Sequence, residues 1–286
     1  MWHAIFEKGE TTMTRRTAYI LTAVSAGLYL LLTWAFADGM FDLDNLWVSE
    51  AYTESTIFTY LLTAIIIAAG VRFAMSLPEE GTEAAVEPTH TRASGQVEDP
   101  VIWRRLLGNV HWALIWLPLR FFVGREWLAA GEHKVRDDAW MDGGTALQGY
   151  WERAVAIPEG GRPAITYGWY RDFLQYMLDN EWYTWFAKLI AIGEVLIGVA
   201  LIIGALVGIS AFLGTFMNFN FQLAGSASSN PVLFGLSVFL VLAWKVAGYW
   251  GLDRYLLPAF GAPWQPGRLF RRSEAIPPQT RAESPA

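Results

Sequence analysis

Six stretches of the chain stay apolar for about the 20 residues a helix needs to cross a bilayer. They run from Ala18 to Ala37, Thr56 to Met75, Leu106 to Ala130, Trp185 to Leu206, Gly208 to Ala224 and Val232 to Trp250. In lipid, backbone polar groups must be satisfied within the segment, so runs of this kind are read as helices. Composition agrees: 53% of the 286 residues are hydrophobic. Only 17% are charged, against about a quarter in soluble domains. The 15 Trp suit a chain that meets membrane interfaces. The expected fold class is an all-α membrane protein with six transmembrane helices.

Basic residues orient it. With the N-terminus inside, Lys8, Arg15, Arg16, Arg72, Arg92, Arg104, Arg105 and the Arg residues after position 253 are cytoplasmic. The loops "DGMFDLDNLWVSEAYTEST" and Ser226 to Pro231 hold no Lys or Arg and fall outside. This predicts a multi-pass protein of the cell (plasma) membrane with both termini cytoplasmic. Met13 opens "MTRRTAYIL", a basic-then-apolar anchor, and is the expected translation start; cleavage after "AFA" as a signal peptide is the weaker reading, because the apolar run is too long.

The expected organisation follows. Residues 1–17 form a cytoplasmic segment and 18–76 a transmembrane hairpin. Residues 77–100 are a Pro/Glu/Gly-rich cytoplasmic linker. Residues 101–257 form a four-helix unit and 258–286 a cytoplasmic tail. Within that unit, the aromatic-rich segment 132–181 is long for a loop. "YGWYRDFLQYMLDNEWYTWF" has apolar residues at helical spacing, so the segment reads as a folded outer cap with an interfacial helix.

The stretch "LRFFVGREWLAAGEHK" (119–134) places charge inside an apolar run, where isolated charge costs a few kcal/mol or more. Measured along straight spans, Arg120 and Glu194 reach similar depth, which predicts a buried pair between them. Pro118 removes a backbone donor, kinks the span and frees the Leu114 carbonyl for another donor. Asn218, Asn220 and Gln222 interrupt another span, with Asn218 and Gln222 sharing a face. His111 and Lys245 lie toward the inner half. Arg125, His133, Lys134 and Arg136 lie toward the outer rim. Ala200, Gly204 and Gly208 read as close helix packing. The chain has no Cys and a net charge of −6. This excludes thiolate metal sites and CxxC redox chemistry and argues against nucleic acid as a partner; no metal site is expected.

The order of these motifs resembles the DoxX family. Arg120, Gly124, Gly131 and Lys134 look like its first helix signature. "FAKLIAIGEVLIGVALIIG" looks like its second, with Glu194 in the acidic position and Gly198 following. "SASSNPVLFGLSVFLVLAWKVAGYWGLDRYLLP" and "ALQGYWERAVAIPEGG" are similar to larger, DoxD-like members. The resemblance covers roughly residues 106 to 264 and implies a four-helix bundle behind the hairpin. One branch implies a thiosulfate:quinone oxidoreductase activity. On that reading Arg120 and Glu194 are catalytic. His111, Asn218, Asn220, Gln222 and Lys245 bind quinone or another ligand, and Arg125, His133 and Lys134 form an outer anion site. Quinone is the expected electron acceptor, with no metal or covalent cofactor; the bilayer, a small sulfur anion and a second subunit are the expected partners. The other classes are a non-enzymatic assembly subunit of a redox complex and a small-molecule carrier.

Overall fold

The computed structural model describes residues 13–36, 52–77 and 99–262. The segment before Met13, most of the first outer loop, the linker and the tail beyond Ala262 fall outside the described residues. Within them the chain is all helical: α1 (Arg15–Phe36), α2 (Thr56–Ser76), α3 (Val101–Gly108), α4 (Trp116–Arg136), α5 (Asp138–Met141), α6 (Thr145–Val155), α7 (Gly168–Asp179), α8 (Tyr183–Ile203), α9 (Val207–Leu223), α10 (Asn230–Leu242) and α11 (Asp253–Phe260). Short 3-10 segments at Tyr52–Glu54 and Val110–Ile115 lead into α2 and α4.

Three helices, α1, α2 and α8, are long and apolar enough to cross a membrane; a fourth qualifies if the bent segment through α4 counts as one span. The expected third span is therefore corrected. Val101–Gly108 and Val110–Arg136 meet at 76°. Asn109 has extended backbone, and its side chain accepts the His111 N–H at 2.9 Å, which stops one helix and starts the next. Pro118 does not make this bend. It sits in the first turn of α4, where a missing N–H is tolerated. The Leu114 carbonyl it leaves free accepts the Ser25 hydroxyl of α1 at 3.2 Å.

The other shortfall lies at the end of the chain. Helix α9 has 17 residues and α10 only 13. The expected sixth span to Trp250 stops at Leu242, and turns follow to residue 252. Arg120 supplies the physical reason. Its guanidinium donates to the carbonyls of Ala247 (3.0 Å), Trp250 (2.9 Å) and Ile202 (3.5 Å). A continued helix would have used the first two for its own bonds. The backbone N–H groups of Leu252 and Asp253 donate to Ile203 and Gly204 at 3.1 and 2.8 Å. The Asp253 carboxylate in turn accepts from Leu206 N (2.5 Å) and Val207 N (2.9 Å), capping α9 from a distant part of the chain.

Helices α4 and α8 pack antiparallel through glycines. A Cβ at Gly131 would lie 2.6 Å from Val195 N, and one at Gly198 2.5 Å from Leu128 N; at Gly124 it would meet Leu201 and Ile202 at 3.0 Å. Gly204 and Gly208 also pack closely, but against Arg120 and the Trp244 side chain rather than along one helix face. Gly204 takes the left-handed φ of 71° that ends α8. The α1–α2 hairpin closes through Gly70 against Thr22 and leans on α4, with Tyr29 edge-on to Phe121 at 6.4 Å. Residues of α1, α4, α8, α9 and α10 share one core. Outward faces remain apolar and exposed, for example Leu189, Ile192, Leu196 and Val199 on α8 and Phe212, Phe216 and Phe219 on α9. A lipid-facing surface has that composition.

Candidate functional site

The segment 132–181 folds into α5, α6 and α7 around a second core. Leu147, Trp151, Ile165, Tyr170, Leu174 and Met177 pack on Ala187 and Ile190 of α8. The Tyr170 hydroxyl ties this cap to α9 through the carbonyl and side-chain oxygens of Asn220, at 3.1 and 3.2 Å. Burial, and then the neighbouring Tyr150, push the Tyr170 phenol up to about 12. Burial also raises Tyr150, opposed by Ser226 and Arg153.

A cavity of about 500 Å³ lies beneath the cap, between α4, α8, α9 and the turn that leads into α10. That is a small-molecule size. Lys134 and Glu194 meet in its wall, Nζ to Oε2 at 2.7 Å, with Glu194 only 1% exposed. The ammonium also sits over the Trp140 ring at 5.1 Å. Trp127, Tyr150 and Phe221 supply aromatic surface, and Ser226 and Ser228 supply hydroxyls. Asn218 is fully buried in the same wall, and neither its side-chain N nor its side-chain O has a hydrogen-bond partner among the described residues. The buried Trp127 Nε1–H has none either. Buried polar groups are normally paired, so two donors and an acceptor in a cavity wall suit a polar ligand.

The expected Arg120–Glu194 pair is not formed. The antiparallel register sets Glu194 beside Gly131, which is about 16 Å along α4 from Arg120 at 1.5 Å per residue. The depth argument failed because it counted α3 into a straight span. Of the outer anion set, Lys134 alone lines the cavity, and it is already paired. Arg125 is 1% exposed, donating to the Thr53 carbonyl at 2.7 Å and to Glu126 at 3.2 Å. His133 pairs with Glu54 at 3.2 Å, and Arg136 pairs with Glu132 on the preceding turn. Of the amides, Asn218 alone lines the cavity. The Asn220 amide donates to the Phe216 carbonyl at 2.8 Å and Gln222 to the Asn218 carbonyl at 3.3 Å. His111 is exposed beside Asn109, and Lys245 is exposed over Trp244; neither lines this cavity.

Sequence reasoning missed Trp127, Tyr150, Arg153 and Asp253. For Trp127 a signal was present: Arg120, Trp127 and Lys134 recur every seven residues and share one stripe of α4. Tyr150 and Arg153 come from a cap whose folding sequence cannot place. Among the described residues no three His, Asp or Glu side chains gather as a metal site requires.

Fold and site together define a helical protein with several apolar helices able to cross a membrane and a mixed polar–aromatic cavity under a helical cap. Comparison with family models, curated proteins and solved structures finds no match for this chain.

Proposed function

We propose that the chain is a DoxX-like protein of the plasma membrane, with six helices in the bilayer and both termini cytoplasmic. Its cavity, on the outer side, binds a quinone headgroup, which makes the chain a quinone-binding oxidoreductase or a quinone-binding subunit of a redox complex. The fully buried, unpartnered Asn218 amide carries this reading. A quinone is a flat ring with two acceptor carbonyls. Asn218 Nδ2 and Trp127 Nε1 supply donors, and the Asn218 oxygen can accept a hydroxyl of the reduced form. Trp140, Tyr150 and Phe221 supply walls for the ring. A dianion such as thiosulfate is a poorer fit for this cavity: Lys134 already answers Glu194, and Glu54 and Glu126 outnumber Arg153 in the same lining. A sulfur anion would need another docking point, on this chain or on a partner.

The test titrates the protein in lipid nanodiscs with a short-chain ubiquinone, following Trp quenching. Saturable binding is expected, weakened about fivefold or more by Asn218→Leu, since one lost buried hydrogen bond is worth about 1–3 kcal/mol. Phe216→Leu, on the exposed side of α9 and outside the cavity, should leave affinity unchanged. Absent quinone binding, or equal affinity in Asn218→Leu, would sink the proposal. Saturable thiosulfate binding in its place would restore the anion site.

A further inference from the structure

Helix α7 presents two apolar stripes where a cap helix needs one. Tyr170, Leu174 and Met177 are buried in the cap core. Trp169, Phe173 and Tyr176 form a second stripe at the same helical spacing, and they are 65%, 47% and 56% exposed. At about 100° per residue the second stripe lies roughly a quarter turn from the first. The exposed polar residues Asp172, Gln175 and Asp179 lie on its other side. The helix thus has a core face, an aromatic face and a water face in order around its circumference.

Rings continue this aromatic face onto α8. Tyr176 stacks edge-on with Trp182 at 5.8 Å, and Trp182 meets Trp185 at 5.9 Å. Trp185 opens the exposed stripe Trp185, Leu189, Ile192, Leu196 of α8, the most apolar of the three helices long enough to cross a membrane. At Trp185 the stripe changes from aliphatic to aromatic, the change expected where hydrocarbon gives way to headgroups.

We infer that α7 lies in the membrane interface on the cap side, with Trp169, Phe173 and Tyr176 among the lipid headgroups and upper acyl chains. The occupant of the aromatic face is the bilayer, because that face is continuous with the lipid-facing stripe of α8. The cap is then held against the membrane, and the cavity beneath it lies close to the headgroup level. This rests on the membrane reading of α8 but not on quinone binding.

The natural absence of cysteine allows a direct test. Single variants Trp169→Cys, Phe173→Cys, Tyr176→Cys, Asp172→Cys and Leu196→Cys are spin-labelled in the full chain and placed in phosphatidylcholine vesicles. Collision rates with oxygen and with a water-soluble nickel chelate are then measured. All five positions are exposed, so the labels displace no core. Leu196 should be oxygen-accessible and nickel-protected. Positions 169, 173 and 176 should be nickel-protected at a shallower depth, and position 172 nickel-accessible. Nickel accessibility at 169, 173 and 176 with Leu196 still protected overturns the inference and leaves the membrane reading intact. Nickel accessibility at Leu196 overturns both. Spin–spin broadening at 173 and 176, abolished by dilution with unlabelled protein, assigns the face to a second copy and also overturns it.

Discussion

Gly198→Ala tests the α4–α8 contact with the least chemistry. The new methyl would stand 2.5 Å from Leu128 N and 2.7 Å from Leu128 Cα. Both are backbone atoms, so no side chain can rotate aside. Restoring ordinary contact requires the helices to separate by about 1 Å, and overpacking of this kind costs about 1–3 kcal/mol. Gly193→Ala, on the same helix, is the matched control, because nothing lies within 4 Å of its added methyl. Each change gains the same helix propensity, up to about 1 kcal/mol, which cancels in the comparison. Gly198→Ala should therefore unfold more easily than Gly193→Ala by about 1–3 kcal/mol, measured by thermal or denaturant unfolding in one detergent. The separation should also weaken the Lys134–Glu194 contact one turn away, so a quinone affinity that depends on that wall should fall with it. Equal stability of the two variants would show that α4 and α8 do not meet as described.

Two further outcomes follow from the site. Lys134→Met leaves Glu194 as an uncompensated charge at 1% exposure and should cost about 3–5 kcal/mol; Glu194→Gln leaves a lysine that is 20% exposed and can turn outward, so it should cost less. The double variant should be more stable than Lys134→Met; unfolding curves ranking it below both singles would contradict the pairing. In the cap, the Tyr170 phenol titrates near 12 when folded and near 10 when unfolded. Its contribution to cap stability is therefore complete below about pH 10 and is lost as pH rises toward the folded value. Near-ultraviolet phenolate absorbance should show one late-titrating tyrosine fewer in Tyr170→Phe than in the unmodified chain.

Hydrophobic runs made α1, α2 and α8 legible to within a few residues, because each stays apolar on its exposed as well as its buried face. They misled at α3 and α10. Asn109 ends one helix and caps the next inside an unbroken apolar run, a polar signal that a hydropathy window averages away. At Ala247 and Trp250 the helix gives up its geometry to a guanidinium distant in sequence, which no local pattern records. The candidate site was half visible. Lys134, Glu194 and Asn218 each stood out as polar groups in apolar surroundings, but in three different proposed roles. Their meeting in one wall depends on the register of α4 against α8, and glycine contacts set that register. Glycines announce that helices approach closely without saying which turns face each other.

The charges of α4 do different work at different levels of the helix. At its first turns the two terminal guanidinium nitrogens of Arg120 donate to carbonyls, one of them from Ile202 in the last turn of α8, where the helix carries partial negative charge. Near its middle Arg125 binds the Thr53 carbonyl, and Thr53 Oγ1 donates to Glu132 at 3.0 Å. That pair of contacts fastens the α1–α2 hairpin to α4. These two cations hold separate parts of the chain together, and replacing either would disturb the fold before it disturbed chemistry. Between Trp127 and Lys134 the arrangement differs. There the charge pair lines a cavity with Trp127 and Asn218, whose buried indole N–H and side-chain amide have no hydrogen-bond partner among the described residues. Among the charges of residues 119–134, Arg120 and Arg125 tie separate parts of the chain together, while Lys134 lines the cavity.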